Sequence, residues 1–271
     1  LSYGRDFFLT ERPVIAFQLV CLIFLPIAYA VQVRNDYETL ALAPLIFLSA
    51  WAGEASSIHL YGFYGYADGW WPRVGGVPLL VAAIWPMVIL SGRDVIRALW
   101  PEAKGALPLL VGALVFIDAA MVEVVAVRCG LWSWTEPGYL GVPLIGVIGW
   151  ALFGFAATLI IENTRGRQRW LLLLGAPALL HMLLVGSWWT LFRWVGRGDW
   201  FALFVAIILL ATFVALRRRP YQMPLNVASV RMIAGGIFVG LLLFAEPTAG
   251  RLWLHVGLTS IPYALATRFK L

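Results

Sequence analysis

Three carboxylic acids sit inside long apolar stretches of this chain: Glu54, Asp118 and Glu123. An ionisable side chain near the middle of a bilayer costs about 2.5–3.5 kcal/mol on insertion scales, so it persists only when paired, hydrated or neutral. A carboxyl kept neutral by apolar surroundings can serve as a general acid near neutral pH. The plainer alternative is a hydrogen-bonded acid that holds helices together. Asp118 and Glu123 are five residues apart, which on a helix sets them about 140° apart around the axis. They cannot both face one cavity squarely. Glu54 and Glu123 are therefore the expected catalytic pair. Asp118 is a third candidate that either lines the same pocket more deeply or pairs with another helix.

Aromatic residues follow each glutamate. Tyr61, Phe63, Tyr64, Tyr66, Trp70 and Trp71 fall within one stretch of eleven residues downstream of Glu54, and Trp132, Trp134 and Tyr139 form the matching set after Glu123. An interfacial aromatic belt accounts for many of the 14 tryptophans. It accounts less well for the similar placement of the rings relative to both acids. Aromatic faces stabilise a cation by about 0.5–2 kcal/mol each and line apolar ligand pockets. Tyr61, Tyr64, Tyr66, Trp85, Trp132, Trp134 and Trp150 are the expected substrate-binding residues, with His59 beside them as an interfacial polar group or a proton relay. His181 reads as a packed helix histidine, with single axial ligation of a pigment as the other possibility, and His255 lies far from both. No two histidines have the spacing of a di-iron or two-histidine haem site. Cys21 and Cys129 imply neither a disulfide framework nor zinc. Dinucleotide and P-loop fingerprints are absent, and Asn35-Asp36 does not open a diphosphate-binding motif. No metal and no cofactor are expected.

The elements that must carry these residues are membrane helices. The chain has 271 residues, 62% apolar and 13% charged, with a mean hydropathy of +0.85. Soluble domains average about 45–50% apolar and about 25% charged, so a soluble globular protein is excluded, as is disorder. A span needs about 20 apolar residues. Nine candidates lie at about 13–33, 38–58, 76–92, 105–128, 141–162, 170–192, 200–216, 231–247 and 251–267, with eight spans as the alternative. Pro13–Val33 is too long for a signal-peptide core and reads as the first of them. The expected fold is an all-α polytopic bundle forming one integral membrane domain over 1–271.

Within it, two units repeat, at about 40–92 and 107–160. Gly76-Val77-Pro78-Leu79 and Gly141-Val142-Pro143-Leu144 each precede a tryptophan, Trp85 and Trp150, nine positions after the glycine. Each unit reads as a helix with a buried acid, an aromatic loop, Gly-Val-Pro, and a second helix. Two spans separate the copies, so they share one orientation, and parallel repeats can build a site at their interface. The 20 Lys and Arg against 14 Asp and Glu read as orientation signals rather than nucleic-acid contacts. Nine spans put seven of the basic residues on one side and thirteen, from Arg34 to Lys270, on the other. The positive-inside rule makes the second side cytoplasmic. The N-terminus is then expected outside an inner (cytoplasmic) membrane and the C-terminus inside.

Taken together, Glu54-x4-His59-x-Tyr61-Gly62-Phe63-Tyr64-Gly65-Tyr66, the two Gly-Val-Pro-Leu segments with Trp85 and Trp150, Asp118-x4-Glu123 and Gly130-Leu131-Trp132-Ser133-Trp134 resemble the motifs of the bacterial and archaeal membrane family of carotenoid-biosynthesis proteins. The resemblance covers about residues 45–160. Val124, Val147 and Ile148 depart from that family's pattern, which often has Asp-Pro at the second acid and Asn before the last Gly-Trp. The family includes cofactor-independent carotenoid 1,2-hydratases acting on γ-carotene-type and bacterioruberin-type precursors. The resemblance implies acid protonation of a terminal alkene in a carotenoid or other isoprenoid lipid, followed by water addition. Glu54 or Glu123 would be the acid, with its counterpart placing water. Two other expectations stand beside it: a non-catalytic pigment-binding subunit of a larger, photosynthetic, membrane complex, and a small transporter.

Overall fold

The computed structural model describes residues 3–192, 200–217, 223–245, 248 and 250–266. Arg193, Arg197, Arg218, Arg219, Arg268 and Lys270, used above to weigh the two sides, lie outside the described residues. The long apolar stretches become α-helices because a chain in lipid must satisfy its backbone polar groups internally. In order they are α1 (Tyr3–Asn35), α2 (Thr39–Tyr61), α3 (Leu79–Leu99), α4 (Leu107–Arg128), α5 (Leu144–Asn163), α6 (Leu171–Ser187), α7 (Phe201–Arg217), α8 (Leu225–Ala245) and α9 (Gly250–Ala266). Seven described helices are long and apolar enough to cross a membrane: α1 from Arg12, α2, α3, α4, α5, α8, and α6 extended by its flanking turns. The chain is a multi-pass, all-α membrane protein.

Helix ends depart from expectation at three places. Gly-Val-Pro does not lie inside the helices: Pro78 and Pro143 have extended backbones and immediately precede the first helical residues, Leu79 and Leu144. Proline has no N–H to leave unpaired there. At its far end α3 runs seven residues beyond the expected stop at 92, carrying Arg93 and Arg97 with it. Both bind Glu162 on α5, Arg93 Nη2 at 2.7 Å and Arg97 Nη2 at 3.0 Å, so paired charge lets the helix continue where unpaired charge would have ended it. Likewise α8 starts at Leu225, not 231, so Arg231 is inside the helix rather than in a flanking loop.

The repeated units fold as two hairpins, α2 with α3 and α4 with α5. Each first helix is followed by a glycine in the left-handed region, Gly62 (φ 65°) and Gly130 (φ 71°), where a side chain would be strained. The chain then enters short strands β1 (Tyr64–Tyr66) and β4 (Trp132–Trp134), between which β2 (Arg73–Val74) pairs with β3 (Val77–Pro78). Strands β1 and β4 pair antiparallel with Tyr64 opposite Trp134, Gly65 opposite Ser133 and Tyr66 opposite Trp132. Equivalent strands of two repeats pairing antiparallel about their central residues define an approximate two-fold axis that passes between Gly65 and Ser133. Trp85 and Trp150, also equivalent, meet with ring centroids 4.7 Å apart. Close approach of α4 to α5 depends on two glycines. A Cβ on Gly112 would lie 3.0 Å from the Ala151 carbonyl oxygen, and one on Gly154 3.0 Å from Val115; small residues of this kind let membrane helices pack backbone to backbone.

Candidate active site

Glu54 sits about two turns before the end of α2, and Glu123 a turn and a half before the end of α4. The strands that follow fold back over them. Because side chains alternate along a strand, Tyr64 and Tyr66 share one face of β1, and Trp132 and Trp134 share one face of β4. Both faces turn toward the acids. The Tyr66 hydroxyl donates to Glu54 Oε2 at 2.9 Å, the Tyr64 hydroxyl donates to the same oxygen, and Trp85 Nε1 donates to Oε1 at 3.2 Å. Around Glu123, Trp132 and Trp134 Nε1 donate to Oε2 at 2.8 and 3.0 Å, and Trp150 Nε1 donates to Oε1 at 2.6 Å. Each carboxyl thus has three aromatic donors, in the same pattern: two from the strand to one oxygen and one from the following helix to the other. Neither has a cationic side-chain partner among these bonds.

Both acids line one cavity of about 60 Å³, walled by the rings that bind them together with Phe63, Phe153, Leu180 and Leu184. That space admits a few waters or the branched end of a hydrocarbon chain. Burial holds the Tyr64 and Tyr66 hydroxyls well above the ordinary tyrosine range, so they remain protonated donors and acceptors. The rings stack into one wall: Phe63 lies parallel to Trp134 at 5.8 Å and to Tyr61 at 5.2 Å. Trp134 fits against α5 because residue 146 is glycine; a Cβ there would come 2.6 Å from the indole.

The other candidates lie elsewhere. Asp118 does not line this cavity. It is bound by Arg231 of α8 and by the Tyr263 hydroxyl of α9, which is the pairing with another helix left open by its angle to Glu123. His59 is exposed and donates to the Ala55 carbonyl at 2.7 Å. Tyr61 is outside the cavity and binds His181 Nδ1 at 2.9 Å, while His181 Nε2 meets the Ser56 hydroxyl at 2.8 Å. Ser56 already donates to the Ala52 carbonyl, so His181 donates through Nε2 and accepts from Tyr61 through Nδ1. Both ring nitrogens are engaged, which leaves none for a pigment metal.

Several lining residues carried no signal of their own in the sequence. Ile145, Gly146, Gly149 and Phe153 line the cavity from α5 beside the expected Trp150; their spacing is that of a single helix face. Leu180 and Leu184 come from α6, outside the repeat. Among the described residues, no three of His, Cys, Asp and Glu lie together as a metal site would need. Comparisons with protein-family models, with curated proteins and with solved structures return no match for this chain.

Proposed function

We propose that this chain is a hydratase of the bilayer that needs no cofactor and adds water across the terminal trisubstituted C=C of an isoprenoid chain of the carotenoid class. The observation that carries this reading is the pair of carboxyl groups, each held by three aromatic donors, facing one small ring-walled cavity. Two carboxyl groups on one apolar cavity favour the state with a single proton between them. Their partners decide where it resides. Indole N–H groups only donate, so all three partners of Glu123 favour a carboxylate; phenol hydroxyls both donate and accept, so Tyr64 and Tyr66 can turn to receive a proton on Glu54. Glu54 is then the acid and Glu123 the base.

In the first step the Glu54 O–H bond breaks as the alkene π pair forms a C–H bond at the =CH– carbon. Positive charge develops on the carbon bearing two methyl groups. The faces of Trp85, Trp150 and Trp134 and the Glu123 carboxylate stabilise it in a site from which bulk water is excluded. In the second step the oxygen of one enclosed water bonds to the cation, and Glu123 takes the proton that water releases. The product is a tertiary alcohol. Proton return from Glu123 to Glu54 through chamber water resets the pair, so one alkene and one water give one alcohol.

The same reading places the chain in a cytoplasmic membrane with the aromatic strands and N-terminus outside and the C-terminus inside. Arg93, Arg97 and Arg169, paired with Glu162 and Glu38, then gather at the inner end. The test is expression in cells that accumulate an acyclic or monocyclic carotenoid, with chromatography of extracted pigment. The wild-type chain is expected to give the tertiary alcohol, and Glu54→Gln and Glu123→Gln are each expected to abolish most of it. Unchanged hydroxylation with both replaced would overturn the mechanism.

A further inference from the structure

A second and larger cavity, about 520 Å³, lies between α1, α3, α4, α8 and α9. Its size is that of an ordinary ligand pocket, and its walls are apolar except at one place. Trp85, Trp132 and Trp150 line it as well as the acid chamber, so three of the four indoles that hold Glu54 and Glu123 are the partition between the two spaces. The polar place is built around Arg231, whose side chain is 7% exposed, and Asp118, 19% exposed. Arg231 Nη1 donates to the Val88 carbonyl at 3.0 Å and the Ser91 hydroxyl at 2.9 Å, Nε donates to the Tyr263 hydroxyl at 3.3 Å, and Nη2 donates to Asp118. Asp118 also accepts from Tyr263.

We propose that this cavity binds a long isoprenoid chain bearing a neutral oxygen group, a hydroxyl or carbonyl, with the oxygen at the Asp118–Arg231–Tyr263 cluster and the chain running to the tryptophan partition. The charges of Asp118 and Arg231 cancel, so the cluster offers no net attraction to a phosphate, a carboxylate or an ammonium group. A guanidinium has five N–H bonds, and those named use four. The remaining Nη2 hydrogen and the second lone pairs of the Asp118 oxygens can give and take hydrogen bonds with an alcohol. A structural ion pair alone would be served by close packing, yet this one faces open space. Asp118 also has no acidic counterpart in the first repeat, where Ser49 occupies the corresponding place five residues before Glu54. The cluster therefore belongs to this flank alone. The inference deepens the hydratase reading and rests on it only in identifying the occupant with the molecule whose other end reaches the acids.

The test uses the full chain in nanodiscs and tryptophan quenching by three polyenes of one length: all-trans-retinol, all-trans-retinoate and anhydroretinol, which has no oxygen. Retinol is expected to saturate at one per chain and to bind about tenfold or more tightly than the other two, the worth of a hydrogen bond to a charged group. Gly235 lines the cavity, and a Cβ there has Met121 at 3.9 Å as its nearest neighbour. Gly235→Leu is therefore expected to fold, to fill the space and to lose saturable quenching, whereas Gly235→Ala keeps it. Asp118→Asn is expected to erase the preference for retinol over anhydroretinol. Equal binding of all three probes, or quenching untouched by Gly235→Leu, would overturn the proposal. Retinol selectivity in a chain that does not hydrate carotenoids would remove the hydratase reading and leave this site standing.

Discussion

The Glu54 half and the Glu123 half of the site share a plan and differ in detail. Both put three aromatic donors on a buried carboxyl from the same positions of the repeat. One half uses two phenols and an indole, the other three indoles. Leu180 and Leu184 of α6 line the acid cavity, and beyond Trp85, Trp132 and Trp150 lies the larger cavity, where Asp118 of the second unit meets Arg231. A duplicated unit supplies a matched pair of acids; divergence of the donors and of the flanks gives them separate work. Under the hydratase reading, a carboxyl ringed by groups that can accept a proton starts the reaction, and one ringed by obligate donors ends it.

The widest departure from equality between the halves is expected in turnover. Glu54→Gln should lower the rate of alcohol formation by roughly 10⁴-fold and Glu123→Gln by roughly 10²-fold, the upper and lower ends of what general acid–base groups contribute. Equal losses, measured by pigment analysis against protein level, would break the assigned asymmetry. The flanks come next. Arg231→Met leaves Asp118 facing an apolar cavity without its cation and should cost about 3–5 kcal/mol, with most of it recovered in Arg231→Met/Asp118→Leu. Thermal melting in detergent checks both, and an additive double variant would show that the pair is not coupled.

The strand wall is sharper still as a local probe. Gly146→Ala drives a methyl into Trp134 and should cost about 1–3 kcal/mol by overpacking. Gly149→Ala, whose Cβ meets Leu184 at 3.9 Å, should stay within about 0.5 kcal/mol. Equal melting temperatures would mean that Trp134 is not seated on α5. The smallest effect lies at the far end of the bundle. The hydrogen bond from Arg169 holds the Glu38 carboxyl below its ordinary range. A depressed carboxyl stabilises the folded state above its unfolded pKa and loses that contribution as pH falls through the folded one. Glu38→Gln should therefore lower the melting temperature slightly at about pH 6 and by less at about pH 3. A deficit that does not shrink at low pH would contradict the pairing.

Much of this arrangement was legible in the sequence, for identifiable reasons. The apolar runs had to be helices, and the recurrence of Gly-Val-Pro-Leu with its tryptophan marked both second helices of the repeat, although the helices begin one residue after the proline. Glu54 and Glu123 could be paired because each lies late in its helix, ahead of an aromatic pair and a Gly-Val-Pro-Leu segment of the same order. Which atoms of the rings reach the acids was not legible: it depends on β1 pairing with β4 across 68 residues, and strands of three residues leave no periodic trace. Helix ends differ from expectation where Arg93, Arg97 and Arg231 find acidic partners 65 to 113 residues away in the chain, since a charge ends a span only when it is unpaired. Asp118 could be separated from Glu123 by angle alone, but its partners on α8 and α9 could not be named. His59 and Tyr61 lie next to the motif in sequence and outside the cavity in space, because α2 carries them past its end.

Isotope incorporation tests the central claim most directly. Membranes containing the chain would be supplied with an acyclic carotenoid in water enriched in ¹⁸O and deuterium, and the product analysed by mass spectrometry and NMR. The account requires one ¹⁸O on the tertiary carbon and one deuterium on the carbon beside it, with both lost in Glu54→Gln. Product oxygen drawn from O₂, or labelled alcohol formed as fast by the Glu54→Gln chain, would contradict it.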